Sequence, residues 1–142
     1  MTEPGHPQFT AEQVKHLEFI QAVVTRLGNG SFLIKGWTLT LVAAFLGVSL
    51  SSPKWRVTAV ALVPVLGFWL VDAYFLRQER LFRKLYDQAR IPGGPVEVFS
   101  MNTAPYAGEV KWPQVVGSTT LRGFYGTLVL IIVAVVVAVA LG

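Results

Sequence analysis

GFYGTLVLIIVAVVVAVALG, residues 123–142, is a run of 20 residues without a charge. A bilayer's hydrocarbon core is about 30 Å thick, and an α-helix needs about 20 apolar residues to cross it. The run therefore reads as a membrane span, set at 119–141 with Ser118 as its cap. Two earlier stretches read the same way. Residues 32–50 carry one charge, Lys35, about a turn inside a start capped by Ser31. Residues 55–76 carry Asp72 near their far end and Pro64 in the interior, where the missing N–H predicts a kink. Ser51-Ser52-Pro53-Lys54 joins these two spans in a tight turn.

Composition agrees. The chain has 142 residues, of which 53% are hydrophobic and 14% charged, with a mean hydropathy of +0.53. Soluble domains carry about 25% charged residues. An ordinary soluble domain and a disordered chain are excluded, and the absence of cysteine excludes disulfides, thiolate metal sites and cysteine nucleophiles. With three spans in lipid, roughly 80 residues remain, too few for a separate catalytic domain with its own core. Met1 to Thr10 holds Glu3, two prolines and no apolar run, so it is not read as a cleavable signal peptide.

The polar segments complete the expected architecture. Phe9, Thr10, Gln13 and Val14 spell a hydrophobic staple around a capping box. They open an amphipathic helix over 10–28, with Val14, Leu17, Ile20, Val23 or Val24, and Leu27 as its apolar stripe. Gly28-Asn29-Gly30 is read as its end. The second span continues as a polar helix to residue 90, with Leu81, Phe82, Leu85 and Ala89 on one face and Glu79 paired with Arg83 at i,i+4. Ile91-Pro92-Gly93-Gly94-Pro95 stops it. Residues 91–117 form a loop, in which Val96-Glu97-Val98 and Glu109-Val110-Lys111-Trp112 alternate as a short hairpin does; an irregular loop packed on the helices fits equally well. The fold class is thus an all-α membrane protein of one domain, 1–142.

Ten of the twelve Lys and Arg residues lie at the end shared by the N-terminus and the long loop; only Lys54 and Arg56 lie at the other. The positive-inside rule then places the N-terminus and loop in the cytoplasm and the C-terminus outside.

Charge inside a span is costly and marks the first candidate site. Lys35 and Asp72 are equidistant from the middle of the Pro53–Lys54 turn, so the two opposite charges fall at one depth on neighbouring antiparallel helices. They are expected to form an intramembrane ion pair, either a static helix-packing contact or a switchable latch or ion site. The second candidate is the basic set Arg26, Arg77, Arg80, Arg83 and Lys84, suited to anionic lipid headgroups or phosphates, or serving topology alone. Phe99, Tyr106 and Trp112 in the adjoining loop are candidates to stack on a base, or to anchor the chain at the interface. Gly123 with Gly126, and Ala134 with Ala138, are small residues that permit close helix approach. His6 and His16, the only histidines, make neither a metal-ligand pair nor a catalytic triad. No enzyme, no metal, no cofactor and no nucleic-acid binding is expected.

The stretches His16-Leu17-Glu18-Phe19-Ile20-Gln21, Ser31-Phe32-Leu33-Ile34-Lys35-Gly36-Trp37 and Asp72-Ala73-Tyr74-Phe75-Leu76-Arg77-Gln78-Glu79-Arg80-Leu81-Phe82-Arg83-Lys84-Leu85-Tyr86 carry a resemblance. So do Ser100-Met101-Asn102 and Phe124-Tyr125-Gly126. Together they resemble an uncharacterised family of small bacterial multi-span inner-membrane proteins, similar in turn to antiphage-defence membrane effectors. That resemblance implies a bacterial inner-membrane protein in which a nucleotide signal releases membrane damage. The expected function is an oligomeric effector whose basic and aromatic cytosolic layer senses an anionic, nucleotide-like signal or a partner and alters membrane integrity. The alternative is a non-enzymatic scaffold or accessory subunit that docks a cytosolic protein. The expected partners are the lipid bilayer and further copies of the chain.

Overall fold

The computed structural model describes residues 9–51 and 53–141; Glu3, His6, Ser52 and Gly142 lie outside them. The described residues contain helices and loops and no strand. Among the described residues three helices are long and apolar enough to cross a membrane, and the chain is a membrane protein. Large apolar side chains cover their outer faces: Phe32 is 80% and Leu130 71% exposed. Such faces need lipid or protein against them.

The first helix, α1, runs from Ala11 to Ser51 as 41 unbroken residues, about 61 Å and so about twice the hydrocarbon thickness. The expected stop at Gly28-Asn29-Gly30, dividing 10–28 from 32–50, does not occur. Glycine permits a break without requiring one, and here Gly30 serves closeness instead. A Cβ at Gly30 would come within 2.7 Å of the Phe75 ring. The capping box is present: the Thr10 amide donates to Gln13 Oε1 at 2.8 Å, and the Gln13 amide to Thr10 Oγ1 at 3.2 Å. Along the apolar stripe Ile20 is buried, Leu17, Val23, Val24 and Leu27 are half-buried, and Val14 is exposed; His16 is buried beside them.

Pro53 and Lys54 lead into α2 (Trp55–Val60) and, after Ala61, α3 (Leu62–Ala89). Ser49 and Thr58, both buried, share a hydroxyl hydrogen bond across the turn. The expected interruption lies at Ala61, one turn before Pro64. Proline has no N–H for the carbonyl four residues back, and its ring crowds that carbonyl; the Ala61 amide tightens onto Thr58 O at 3.1 Å. α3 then packs antiparallel along α1, and both helices run past the span to form a two-helix stalk at the polar end.

The last span, α5 (Thr119–Leu141), buries Leu121, Tyr125, Leu128 and Ile132 on one face against α2 and α3. Its expected cap is absent: the Ser118 hydroxyl is buried without a hydrogen-bond partner among the described residues, and the Ser118 carbonyl accepts from the Arg122 amide at 2.9 Å. No atom comes within 4 Å of a Cβ built at Gly123 or Gly126, and Ala134 and Ala138 are exposed. These small residues mediate no close approach within the chain.

Between α3 and α5 the chain forms an irregular loop, a 3-10 turn (Ala104–Tyr106) and a short helix, α4 (Trp112–Val116). The hairpin alternative is therefore not adopted. The polar groups of this segment find partners on α3 instead of in a ladder. Arg77 Nε donates to Val110 O at 3.0 Å and Nη2 to Ala107 O at 3.3 Å; Trp69 Nε1 donates to Val116 O at 3.1 Å. Phe99 sits at φ +67°, costly for a non-glycine residue. Its ring lies 6.1 Å from that of His16 and 6.2 Å from that of Phe19, while His16 Nε2 donates to Ser100 O at 2.8 Å. These contacts dock the loop on the stalk.

The close approach at Gly30 gives a contrast between two neighbouring glycines. At Gly28 the nearest atom to an added Cβ is Glu79 Oε2, at an ordinary 3.8 Å. Gly28→Ala is expected to gain up to about 1 kcal/mol from helix propensity. Gly30→Ala gains the same propensity but must displace the Phe75 ring, for a net loss of about 1 kcal/mol. Thermal unfolding in detergent checks both signs, with Phe75→Ala expected to relieve the Gly30→Ala defect.

Candidate functional site at a buried carboxylate

Lys35 and Asp72 meet, Nζ to Oδ2 at 2.5 Å. Their depth match follows from a short turn joining two regular helices, so equal chain distances give equal heights. Asp72 is fully buried, and the Lys35 side chain is 20% exposed. The carboxylate is held by more than its counter-ion. Ser31, one turn before Lys35, donates its hydroxyl to Oδ1, and Lys35 Nζ also donates to Ser31 Oγ at 2.9 Å. From α5, Tyr125 OH donates to Oδ2 at 3.0 Å. One buried anion thus binds all three spanning helices.

An aromatic wall encloses this junction. Tyr125 is fully buried. Trp69 stacks on its ring at 5.8 Å and 8°, and Phe124 meets it edge-on at 4.9 Å and 83°. Lys35 Nζ lies 6.0 Å from the Phe124 ring centroid, within cation–π range. Thr38, also fully buried, returns its hydroxyl to Ile34 O at 2.8 Å. A buried ion is expensive unless paired and hydrogen-bonded, and each Asp72 oxygen has at least one donor. The arrangement is suited to holding the three helices together.

Sequence reasoning assigned Ser31 a capping role and gave Tyr125 no site role, and so missed their part in this site. For Ser31 a signal existed: it precedes Lys35 by four residues and so shares its helix face.

The basic residues do not form one surface. Arg77 is occupied by the two loop carbonyls and lies 5.7 Å from the Trp112 ring centroid. Arg83 pairs with Glu79 at 2.7 Å and Lys84 with Glu109 at 3.0 Å. Arg26 is exposed on α1. Arg80 alone of the α3 set has neither an ion pair nor a side-chain hydrogen bond among the described residues, and with Arg83 and Lys84 it lines a cleft. The three candidate stacking residues also part company. Phe99 packs on His16 and Phe19, Trp112 on Arg77, and Tyr106 is half-buried against the core. Fixed by different neighbours, they do not frame one base-sized slot.

Comparison with protein-family models, with curated proteins and with solved structures finds no match.

Proposed function

We propose that the protein is an oligomeric, non-enzymatic effector of a bacterial inner membrane. In this reading an anionic signal or a partner acts on the polar stalk, and the spans answer by altering membrane integrity. The stalk and N-terminus face the cytoplasm and the C-terminus faces out, as the ten-to-two division of Lys and Arg supports. The observation that carries the reading is the position of Asp72. α1 and α3 run without a break from the stalk, through the Lys35–Asp72 pair, toward the turn at the opposite end. Movement of the stalk is transmitted to that pair, and through Tyr125 to the third span. The pair is a latch in this reading, closed at rest.

Induced expression in bacteria, followed by entry of a membrane-impermeant dye, tests it. Lys35→Met leaves Asp72 without its counter-ion and is expected to admit dye; Lys35→Met with Asp72→Leu removes both charges and is expected to restore exclusion. Dye exclusion by Lys35→Met, inserted at the wild-type level, sinks the latch.

A second reading has its own observation. Phe19 and Phe99 are in contact on the stalk and each is about half exposed (47% and 49%), as a surface that docks another protein would be. An accessory subunit or scaffold would use that surface, and Phe19→Ser would then abolish partner capture without affecting dye entry.

A further inference from the structure

One charged cleft is left unexplained by the Asp72 junction. It lies between α3 and the segment Glu109–Gln114, with a volume of about 290 Å³, and is lined by Arg80, Arg83, Lys84, Asp87, Glu109 and Gln114 along with Val110. That volume falls at the low end of ligand pockets, sized for a small anionic group. Its charges are unequally engaged. Arg83 is held by Glu79 at 2.7 Å, and Asp87 lies 3.6 Å from Arg90. Arg80 is half-buried and has no ion pair among the described residues. Lys84 is held by Glu109 at 3.0 Å, a contact between side chains that are 50% and 55% exposed. Ion pairs so exposed to water are weak and readily exchanged. Glu109 comes from the loop, so its carboxylate ties the loop to the cleft.

We infer that this cleft binds a phosphate-bearing anion, with Glu109 as its built-in competitor. The inference rests on the reading of the stalk as the sensing end and names the chemistry sensed. A phosphate brings up to two negative charges and three acceptor oxygens, against one charge and two oxygens on Glu109. It engages Arg80, which Glu109 leaves unpaired, together with Lys84, and the Gln114 amide supplies a neutral donor. Guanidinium and ammonium groups are the usual partners of phosphate oxygens. Its arrival displaces Glu109 and removes one tie between the loop and α3; the Arg77 hydrogen bonds to Ala107 and Val110 remain. The loop loosens locally, about three turns from Asp72 along α3. The same chemistry is offered by a soluble phosphate compound and by an anionic lipid headgroup.

The full chain in nanodiscs of zwitterionic lipid, titrated with inorganic pyrophosphate at low salt, tests the soluble source. Nanodiscs containing phosphatidylglycerol, without pyrophosphate, test the lipid. Hydrogen exchange over 107–116 is read in both arms, and calorimetry in the first. Pyrophosphate is expected to bind and to raise exchange over 107–116. Arg80→Gln weakens binding about tenfold, the loss of one charged hydrogen-bonding partner, and Glu109→Gln tightens it several-fold. If phosphatidylglycerol gives the exchange change and its Arg80 dependence while pyrophosphate does not, the occupant is a headgroup and the site stands. No response to either probe overturns the inference, as does a response that Arg80→Gln and Glu109→Gln leave unchanged. Both variants sit at the cleft surface, so folding is checked directly by their unchanged unfolding midpoint. Binding without any effect on dye entry upholds the site and counts against the effector reading; the Lys35→Met outcome is independent of the cleft.

Discussion

Lys35→Met is expected to destabilise the protein by about 3–5 kcal/mol, the range for breaking a buried ion pair from one side. It strands the fully buried Asp72 carboxylate with only the hydroxyls of Ser31 and Tyr125 as donors. Asp72→Leu is expected to cost less, because the partner it strands can escape. Lys35 is 20% exposed, and its long side chain can extend the ammonium toward water. The remaining loss comes from the buried Tyr125 hydroxyl, which loses its carboxylate acceptor. Replacing both charges by Met and Leu is expected to recover most of the stability, since a well-packed apolar pair often equals a buried ion pair. Equilibrium unfolding in bicelles distinguishes this ordering from a surface-like contact, for which all three variants would lie within about 1 kcal/mol of wild type.

The second large effect is expected at Arg77. Its guanidinium forks between two loop carbonyls and stacks near Trp112. Arg77→Gln is expected to cost about 2 kcal/mol, discounting the more exposed of two charged hydrogen bonds. Amide exchange over 104–116 should rise while exchange in α5 beyond residue 125 stays unchanged. Arg77→Lys recovers less than half, because an ammonium lacks the planar fork. A loop whose exchange does not respond would mean that Val110 and Val115, both buried, hold it without Arg77. The expected lesion is structural, which separates Arg77 from Arg80 although both were read as parts of one basic face.

The contrast between these residues shows what the sequence made legible. Three spans could be read because apolar runs of bilayer length have few other meanings, and 119–141 matches α5 at both ends. Lys35 and Asp72 could be matched because a short turn fixes the relative height of two helices. The height of α5 could not be read, since the long loop before it sets no register; Tyr125 therefore could not be matched to Asp72. Gly28-Asn29-Gly30 looked like a stop because glycine spacing alone does not tell a turn from a close approach, and the deciding partner, Phe75, lies on another helix. The basic face looked continuous because the sequence gives charges without their acceptors. For Arg77 those acceptors are backbone carbonyls in an irregular loop, invisible to any pattern of side chains.

One carboxylate joins all three spans, and double-mutant cycles measure that junction. Asp72→Leu is combined in turn with Lys35→Met and with Tyr125→Phe, and unfolding free energies are measured in bicelles. A coupling of about 2 kcal/mol or more is expected between Asp72 and Lys35, and of about 1 kcal/mol between Asp72 and Tyr125. Additivity within about 0.5 kcal/mol in both cycles would contradict it.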